Sequence, residues 1–266
     1  MVLDFTMRRK EWFLGVLLLP FSTRAFSPIS WLRKPSMITI KLDESKADLE
    51  ALAEKLNPVV KFLDPLDLTQ AAYWGQSEEF TIGWLRHSEI KHGRVAMAAF
   101  VGHIVQSMFH FPWAITLDGN PFPSIDMSPP EQWDTLPFSA KAQIILFIGF
   151  LEFFSELTPG EGSDVGVTHY TKGGKPGAYP SFKGLPHPVP FNLYDPFGFA
   201  KNTSAEQKER GLLCEINHGR LAMIGIMSFL SEETIPGSVP ALVDVVKPYF
   251  GEVMAPFSAD FVLNFK

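Results

Sequence analysis

Two copies of a six-residue motif carry the side chains of this sequence that are best suited to bind a metal-containing ligand. Each copy reads Glu-Ile-x-His-Gly-Arg, the first at residues 89–94 and the second at residues 215–220. A carboxylate is a hard ligand suited to Mg²⁺, and a neutral imidazole is a common metal ligand. At roughly 100° per residue of a helix, Glu89 lies about 60° from His92 and about 140° from Arg94. The spacing therefore predicts ligands on neighbouring helix faces and no ion pair between Glu89 and Arg94.

The two motifs belong to a longer internal repeat with an offset of 126 residues. Residues 89–97 and 215–223 are identical at seven of nine positions, and an Asp-Pro pair precedes each, at 64–65 and 195–196. The repeated unit is therefore a turn, a linker and a helix. We predict that the two motif helices are related by a pseudo-two-fold axis.

Small residues recur at every third position of both motif helices, which predicts a close helix crossing. They are Gly93, Ala96, Ala99 and Gly102 on the first helix, and Gly219, Ala222, Gly225 and Ser228 on the second.

At such a crossing the charges of one motif would neutralise those of the other. We predict that Glu89 meets Arg220 and that Glu215 meets Arg94, with one oxygen of each carboxylate left free as a ligand. His92 and His218, one turn along, would supply two further ligands. The alternatives are purely structural ion pairs for the four charges and ordinary core histidines for the two imidazoles.

The composition favours a membrane protein or one that binds a large apolar ligand. The chain of 266 residues has 24 Phe and 6 Trp, whereas charged residues make up only 20%. Neither runs of Lys and Arg nor basic residues interleaved with aromatic ones suggest a nucleic-acid partner. With one cysteine, the chain has no intramolecular disulfide and no cysteine-based metal site.

Four helices must position these groups. A short one begins at Ser45, which Asp48 helps to cap, and Asn57-Pro58 ends it. Three longer ones, at roughly 81–111, 138–157 and 205–235, could each cross a bilayer if the ionisable residues inside them are neutralised or ligated. We therefore predict an all-α membrane protein in which the first and third of three transmembrane helices cross.

Two irregular segments complete the predicted domain, which spans residues 45–266. Residues 158–197 are crowded with Gly and Pro, which predicts an extended surface connection. After Pro240, an apolar stripe predicts a short amphipathic C-terminal helix along the membrane interface, formed by Leu242, Val245, Val246, Tyr249 and Phe250.

The N-terminal residues read as targeting signals. Residues 1–25 have a basic start, an apolar stretch too short to span a bilayer and small residues before Phe26, as in a signal peptide. Residues 26–44 are assigned to a transit peptide, because residues 26–41 are hydroxylated and basic and no acidic residue precedes Asp43 in this stretch. The junction at Ala25 and Phe26 resembles the bipartite presequence of plastids derived from a red alga; a simple secretory signal is the alternative.

Paired motif helices, each preceded by an Asp-Pro turn, resemble the chlorophyll-binding light-harvesting superfamily of thylakoid membranes. The resemblance covers roughly residues 57–250. It implies chlorophyll Mg ligands at Glu89, His92, Glu215 and His218, with Arg94 and Arg220 as counter-ions. It also implies carotenoid contacts at Asp64, Pro65, Met97, Asp195, Pro196 and Met223.

Other chlorophyll ligands are suggested outside the motifs. The sequence Gly149-Phe-Leu-Glu152 resembles the family's middle-helix ligand region, and Gln143 stands nearly opposite Glu152 on that helix. His103 lies only about 20° from His92 around its helix and is a further candidate. Glu232 is either a ligand or part of a water-facing helix end.

His218 and residues 231–240 resemble the fucoxanthin or peridinin chlorophyll a/c antennae. The resemblance implies chlorophyll a, chlorophyll c and a polar carotenoid, with a photosystem core and other antenna subunits as partners. No motif of a hydrolase or a phosphate-binding enzyme is present, and we expect no catalysis. One alternative is a photoprotective relative that dissipates excess excitation, and a remote one is a di-iron carboxylate enzyme, because Glu-x-x-His pairs also build such centres.

Overall fold

Helices form the framework of the computed structural model, which describes residues 45–156, 168–180, 197–198, 202–252 and 255–257. Its α-helices are α1 (Lys46–Leu56), α2 (Glu78–Met108), α3 (Pro129–Thr135), α4 (Phe138–Glu156) and α5 (Ala205–Thr234). Single 3₁₀ turns occupy Tyr73–Gly75, Tyr170–Lys172 and Pro240–Leu242, and the described residues contain no strand. The all-α prediction is confirmed, and the three long helices lie within three residues of their predicted bounds. The predicted signal and transit regions lie outside the described residues.

Local sequence explains where the helices begin. Ser45 and Asp48 cap α1 reciprocally, as predicted, with the Ser45 amide donating to Asp48 Oδ2 at 3.1 Å. The two motif helices start alike. Ser77 accepts from the Phe80 amide at 3.2 Å, and Ser204 accepts from the Gln207 amide at 3.2 Å. The two repeats therefore share their helix-start chemistry as well as their motifs.

Helices α2 and α5 make the most extensive interhelical contact of the described elements. Helix α1 packs on α5, where Lys55 Nζ lies 2.6 Å from Glu209 Oε1. Of the described helices, α4 is the one that is long and apolar enough by composition to cross a membrane, with a mean hydropathy of 1.4 over its best window. Many apolar side chains of α4 face outward, such as Leu146 and Phe147, which are 72% and 62% exposed.

Helix α3 had no counterpart in the sequence prediction. Two prolines begin it, and the Ser128 amide donates to Glu131 Oε2 at 3.4 Å across its first turn. The Gln132 side chain then joins it to the end of α2, because its Nε2 donates to the Gln106 carbonyl at 3.1 Å. A helix of seven residues leaves too short a periodic pattern to be recognised.

The predicted C-terminal amphipathic helix is wrong. Residues 240–250 form one 3₁₀ turn, further turns and an extended end, and Asp244 has a φ of 63°. The segment is held from outside: the Tyr249 amide donates to the Glu233 carbonyl at 2.8 Å, and the Tyr249 hydroxyl donates to Asp134 Oδ2 at 2.6 Å. Burial and then the Asp134 hydrogen bond raise the pKa of the Tyr249 phenol above its ordinary value. These tertiary bonds replace the helical ones.

The prediction that residues 158–197 form an extended surface connection is wrong for residues 168–180, which the structure describes. Residues 168–180 pack against α2 and α4, with Gly174 and Gly177 buried. The Tyr170 ring stacks on His87 of α2 at 3.8 Å between centroids, and the Tyr179 hydroxyl donates to the Leu151 carbonyl of α4 at 2.7 Å. We name residues 168–180 the bridging segment.

Candidate functional site

The two motif helices touch at their central glycines. A Cβ atom placed on Gly93 would stand 3.0 Å from the Gly219 Cα atom, and one placed on Gly219 would stand 2.9 Å from the Gly93 Cα atom. Ala96 and Ala222 are buried beside this contact. The small-residue face is narrower than predicted, because Ala99 is exposed and Gly102 has nothing near its Cβ direction. A three-residue repeat drifts about 60° per step around a helix, so the later members turn away.

This approach brings the two motifs into reciprocal ion pairs. Arg94 Nε lies 2.6 Å from Glu215 Oε1, and Arg220 Nε lies 2.7 Å from Glu89 Oε1. The Glu89 and Glu215 side chains are 24% and 31% exposed, so each carboxylate is largely sheltered beside the opposite helix. The predicted pairing between helices is confirmed, and both carboxylates line one small crevice with Gly93 and Gly219.

The two carboxylates are not equivalent, which the sequence analysis missed. Glu89 Oε2 accepts a hydrogen bond from Arg86, three residues earlier on α2, so its second oxygen is not free as predicted. Arg86 is 6% exposed, and Leu212 stands at the corresponding position of the second repeat. Glu215 Oε2 has no hydrogen-bond partner among the described residues. The i, i+3 spacing of Arg86 and Glu89 was the available signal.

His92 and His218 are exposed, which excludes the alternative of core histidines. His92 Nδ1 lies 2.8 Å from the Ser88 carbonyl, and His218 Nδ1 lies 2.7 Å from the Cys214 carbonyl. A carbonyl oxygen only accepts, so Nδ1 carries the proton in both rings and Nε2 keeps its lone pair. Hydrogen bonds of this kind orient metal-ligating histidines in proteins. Nε2 of either ring could therefore bind a metal, in the same way on the two repeats.

The middle helix adds a third carboxylate with a cation from another helix. Lys91 Nζ of α2 lies 2.7 Å from Glu152 Oε2 and 3.1 Å from Glu156 Oε1. Glu152 Oε1 has no hydrogen-bond partner in the described part of the chain. Gln143 is exposed on the same helix. Lys91 stands within the first motif, yet its role was not predicted, because the contact joins residues 61 apart.

The structure does not favour the two remaining ligand candidates, His103 and Glu232. His103 Nε2 lies 2.8 Å from Glu233 Oε1, and its ring stacks on Phe229 at 4.7 Å between centroids. That nitrogen donates to the carboxylate and does not present a lone pair. Glu232 is 4% exposed and accepts from the Gly237 and Val239 amides, both at 2.8 Å. It therefore shapes the turn after α5 and is neither water-facing nor turned outward as a ligand.

The first Asp-Pro turn is ordered by its aspartate. Asp64 Oδ1 accepts from the Leu68 amide at 2.9 Å, and Oδ2 accepts from the Thr69 amide and hydroxyl at 3.0 and 2.7 Å. The Thr69 backbone bond, then its hydroxyl bond, lowers the pKa of the Asp64 carboxyl below its ordinary value. Asp195 and Pro196 of the second turn lie outside the described residues.

Met97 and Met223, the other predicted carotenoid contacts, are half-buried on the motif helices.

Exposed, oriented imidazoles and charge-paired carboxylates on two crossing helices characterise a helical protein whose outward-facing side chains could bind metal ions. A sequence model of the family described as chlorophyll A-B binding protein matches residues 47–234, and the chain therefore belongs to that family. The family is a non-enzymatic, light-harvesting one, so the expectation of no catalysis is confirmed. This membership replaces the di-iron alternative.

Curated relatives agree with the subfamily resemblance. The chain is 30% identical over 221 residues to fucoxanthin-chlorophyll a-c binding protein F of Phaeodactylum tricornutum, covering 80% of this chain and 91% of the relative. It is 30% identical over 192 residues to the fucoxanthin-chlorophyll a-c binding protein of Trieres chinensis, covering 69% and 78%. It is 31% identical over 175 residues to protein D of this name from Macrocystis pyrifera, covering 65% and 81%. All three relatives are described as chloroplastic.

Proposed function

We propose that this protein is a light-harvesting antenna subunit of the plastid thylakoid membrane that binds chlorophyll a, chlorophyll c and a carotenoid of the fucoxanthin or peridinin type. Membership of the chlorophyll-binding family and the names of its relatives support the pigment classes. The observation that carries the proposal is the reciprocal pairing of the two motifs, with an outward-facing histidine one turn from each paired glutamate.

Each motif residue has a distinct task in the proposed site. Glu215 offers its free oxygen to chlorophyll Mg, and Glu89 offers a carboxylate whose Oε2 also accepts from Arg86; in both cases the arginine of the opposite helix balances the charge. His92 and His218 each offer Nε2, and the Nδ1 hydrogen bond fixes the direction of the ring. Bound chlorophyll supplies light absorption and the transfer of excitation. The chain sets distance and angle between pigments through the rigid contact of Gly93 with Gly219.

Two further positions, Glu152 and Gln143, complete the proposed ligand set on different grounds. Glu152 resembles Glu215, since in each carboxylate one oxygen is paired with a cation and the other has no partner among the described residues. Gln143 has a neutral amide oxygen on the outer surface of α4 and needs no counter-ion. His103 and Glu232 are left out of this set, because Glu233 and the turn after α5 already engage them.

Three membrane-spanning helices, α2, α4 and α5, are part of the proposal. A helix of about 20 residues crosses the hydrocarbon core, and α2 and α5 have 31 and 30 residues. An unpaired charge at the centre of a bilayer costs about 2.5 kcal/mol or more. The ion pairs between α2 and α5 compensate the charges of both motifs and so avoid this cost. Exposed apolar side chains on α2 and α5 suit a lipid or pigment environment, as at Val95, Val101, Leu221 and Ile224.

Carotenoids are proposed to lie beside the crossing. The Asp64-Pro65 turn stands ahead of α2 and is held rigid by Thr69, and Met97 and Met223 flank the buried contact. Asp195-Pro196 is proposed to act likewise on the second repeat. Methionine suits such contacts because its side chain is flexible and polarisable.

The location and partners follow from the same proposal. Residues 1–25 and 26–44 would direct the chain across the endoplasmic reticulum and into the plastid, where other antenna subunits and a photosystem core receive the excitation. The proposed function is tested by reconstituting the chain with thylakoid pigments and separating the bound pigments by chromatography. Chlorophyll a, chlorophyll c and a polar carotenoid in fixed ratio are expected; a complex without chlorophyll would refute the proposal.

The fluorescence lifetime of the purified complex separates harvesting from dissipation. An antenna that delivers excitation has a long chlorophyll lifetime when it is isolated from its acceptor. A lifetime that is strongly shortened in dilute detergent would favour the photoprotective alternative.

A further inference from the structure

Lys91 is the single polar difference between the two nine-residue repeats. Residues 89–97 and 215–223 differ only at Lys91 against Asn217 and at Val95 against Leu221. The second change keeps an apolar side chain, whereas the first exchanges a cation for a neutral amide. The difference marks a place where the two halves of the crossing have different surroundings.

Lys91 faces helix α4. Lys91 Nζ contacts Glu152 Oε2 at 2.7 Å, Ser155 Oγ at 2.8 Å and Glu156 Oε1 at 3.1 Å. At the equivalent place on α5, Asn217 Nδ2 donates to the Leu56 carbonyl of α1 at 3.4 Å. The repeat therefore has a cation where a carboxylate-bearing helix packs, and an amide where it meets a backbone carbonyl.

The geometry at Glu152 matches that of the two motif carboxylates. Each of the three glutamates has one oxygen within 2.7 Å of a cation that a different helix supplies. The Glu152 side chain is 55% exposed and the Lys91 side chain is 22% exposed, so the carboxylate projects from α4 while its cation stays close to the helix contact. Glu156 has other partners, since His169 Nε2 and the Tyr170 hydroxyl donate to its Oε2 at 3.1 and 3.0 Å.

We infer that Lys91 is the positioning residue of a third pigment ligand: its ammonium group pairs with Glu152 Oε2 and holds the side chain turned outward, so that Oε1 ligates chlorophyll Mg. The inference rests on the proposed function and adds the residue that makes α4 a ligand-bearing helix. Without the ammonium group, the Glu152 carboxylate would have no counter-ion on this apolar helix and would turn away from its outward position, so its capacity as a ligand would fall. A neutral amide at position 152 needs no counter-ion. The Glu152→Gln substitution therefore distinguishes charge compensation by Lys91 from simple tethering of the side chain.

The test is reconstitution of the full chain with thylakoid pigments, with chlorophyll counted per protein. Lys91→Met is expected to lose one chlorophyll, and Lys91→Arg to keep it because the guanidinium can also pair with Glu152. Lys91→Met combined with Glu152→Gln is expected to regain that chlorophyll. Glu156→Gln is the matched control: it removes the second ion pair of Lys91 and is expected to change nothing. Thermal denaturation followed by circular dichroism identifies any variant that does not fold.

The results separate this inference from the proposed function. Retention of every chlorophyll by folded Lys91→Met overturns the inference. An equal loss in Lys91→Met and Lys91→Arg overturns it too, as does an equal loss in Glu156→Gln, because tethering would then explain the effect. The proposed function is judged apart, by whether wild type binds chlorophyll and whether Glu215→Ala loses it.

Discussion

The Cα atom of Gly93 lies only 2.9 Å from the position that a Cβ atom on Gly219 would occupy. Contact this close is possible because neither residue has a Cβ atom. It sets the separation at which Arg94 and Arg220 reach the glutamates of the opposite helix. The glycine of each motif is thus as necessary to the crossing as its charges.

Gly219→Ala tests this contact. Overpacking of a close-packed site costs about 1–3 kcal/mol, and here the obstacle is backbone, which cannot rotate aside. The variant is expected to lower the midpoint of thermal denaturation and to release chlorophyll at a lower temperature than wild type. Gly102→Ala is the control, since nothing lies within 4 Å of its Cβ position. Its effect should be neutral or stabilising by about 0.5–1 kcal/mol, because alanine favours the helix.

The unequal surroundings of the two motif carboxylates predict unequal effects of removing them. Glu89→Ala removes two charge-assisted hydrogen bonds, from Arg86 and Arg220, whereas Glu215→Ala removes one, from Arg94. Each hydrogen bond to a charged group contributes about 1.5–3 kcal/mol. Glu89→Ala should therefore destabilise the reconstituted complex more than Glu215→Ala does, by the contribution of at least one such hydrogen bond.

Both glutamate variants are expected to lose one chlorophyll, as measured by pigment chromatography. Stability is measured by denaturation of the reconstituted complexes in parallel. Equal destabilisation by the two variants would show that Arg86 has no part in holding Glu89.

The exposed histidines predict a loss of pigment without loss of the helix crossing. His92→Phe removes Nε2 but retains a planar apolar ring, so one chlorophyll should be lost while the Glu89–Arg220 pair is kept. Ser88→Ala is the control, because it removes the hydroxyl 3.2 Å from Nδ1 and leaves the carbonyl that orients the ring. It should keep full pigment content. Unchanged chlorophyll content in His92→Phe would remove His92 from the ligand set.

The Asp64 turn predicts a dependence on pH. Its folded-state pKa lies below the ordinary value of 3.8, so its stabilising effect is complete above that value and is lost as the pH falls through the folded pKa. Near neutral pH, Asp64→Ala should therefore be cut by protease within residues 65–77 several-fold faster than wild type. Under pepsin near pH 3 the difference should narrow. A difference in cleavage rate as large in acid as at neutral pH would contradict the assigned role. Thr69→Val loses one of the three hydrogen bonds, so its cleavage rate at neutral pH should fall between those of wild type and Asp64→Ala.

Much of the site could be predicted because its motif occurs twice in the sequence. Identical residues at the same register on two helices leave a two-fold crossing as the arrangement that pairs all four charges, so Glu89–Arg220 and Glu215–Arg94 followed from spacing alone. The start of α1 was likewise predicted from its Ser45–Asp48 cap, and the caps that the structure shows at Ser77 and Ser204 are local hydrogen bonds of the same kind. Local and repeated features are encoded within a few residues of where they act.

Tertiary structure decided what lies outside that symmetry. Helix α4 and the bridging segment have no counterparts in the repeat, and their packing gave Lys91 its contact with Glu152 and Gly177 its contact with Arg94. It also engaged His103 with Glu233 and replaced the predicted C-terminal helix with a segment anchored through Tyr249. These contacts join residues far apart in sequence, and no periodic pattern indicates which surfaces will meet. The twin motifs were therefore fixed by sequence, whereas the third carboxylate and the unequal partners of Glu89 and Glu215 depend on how the unpaired elements pack.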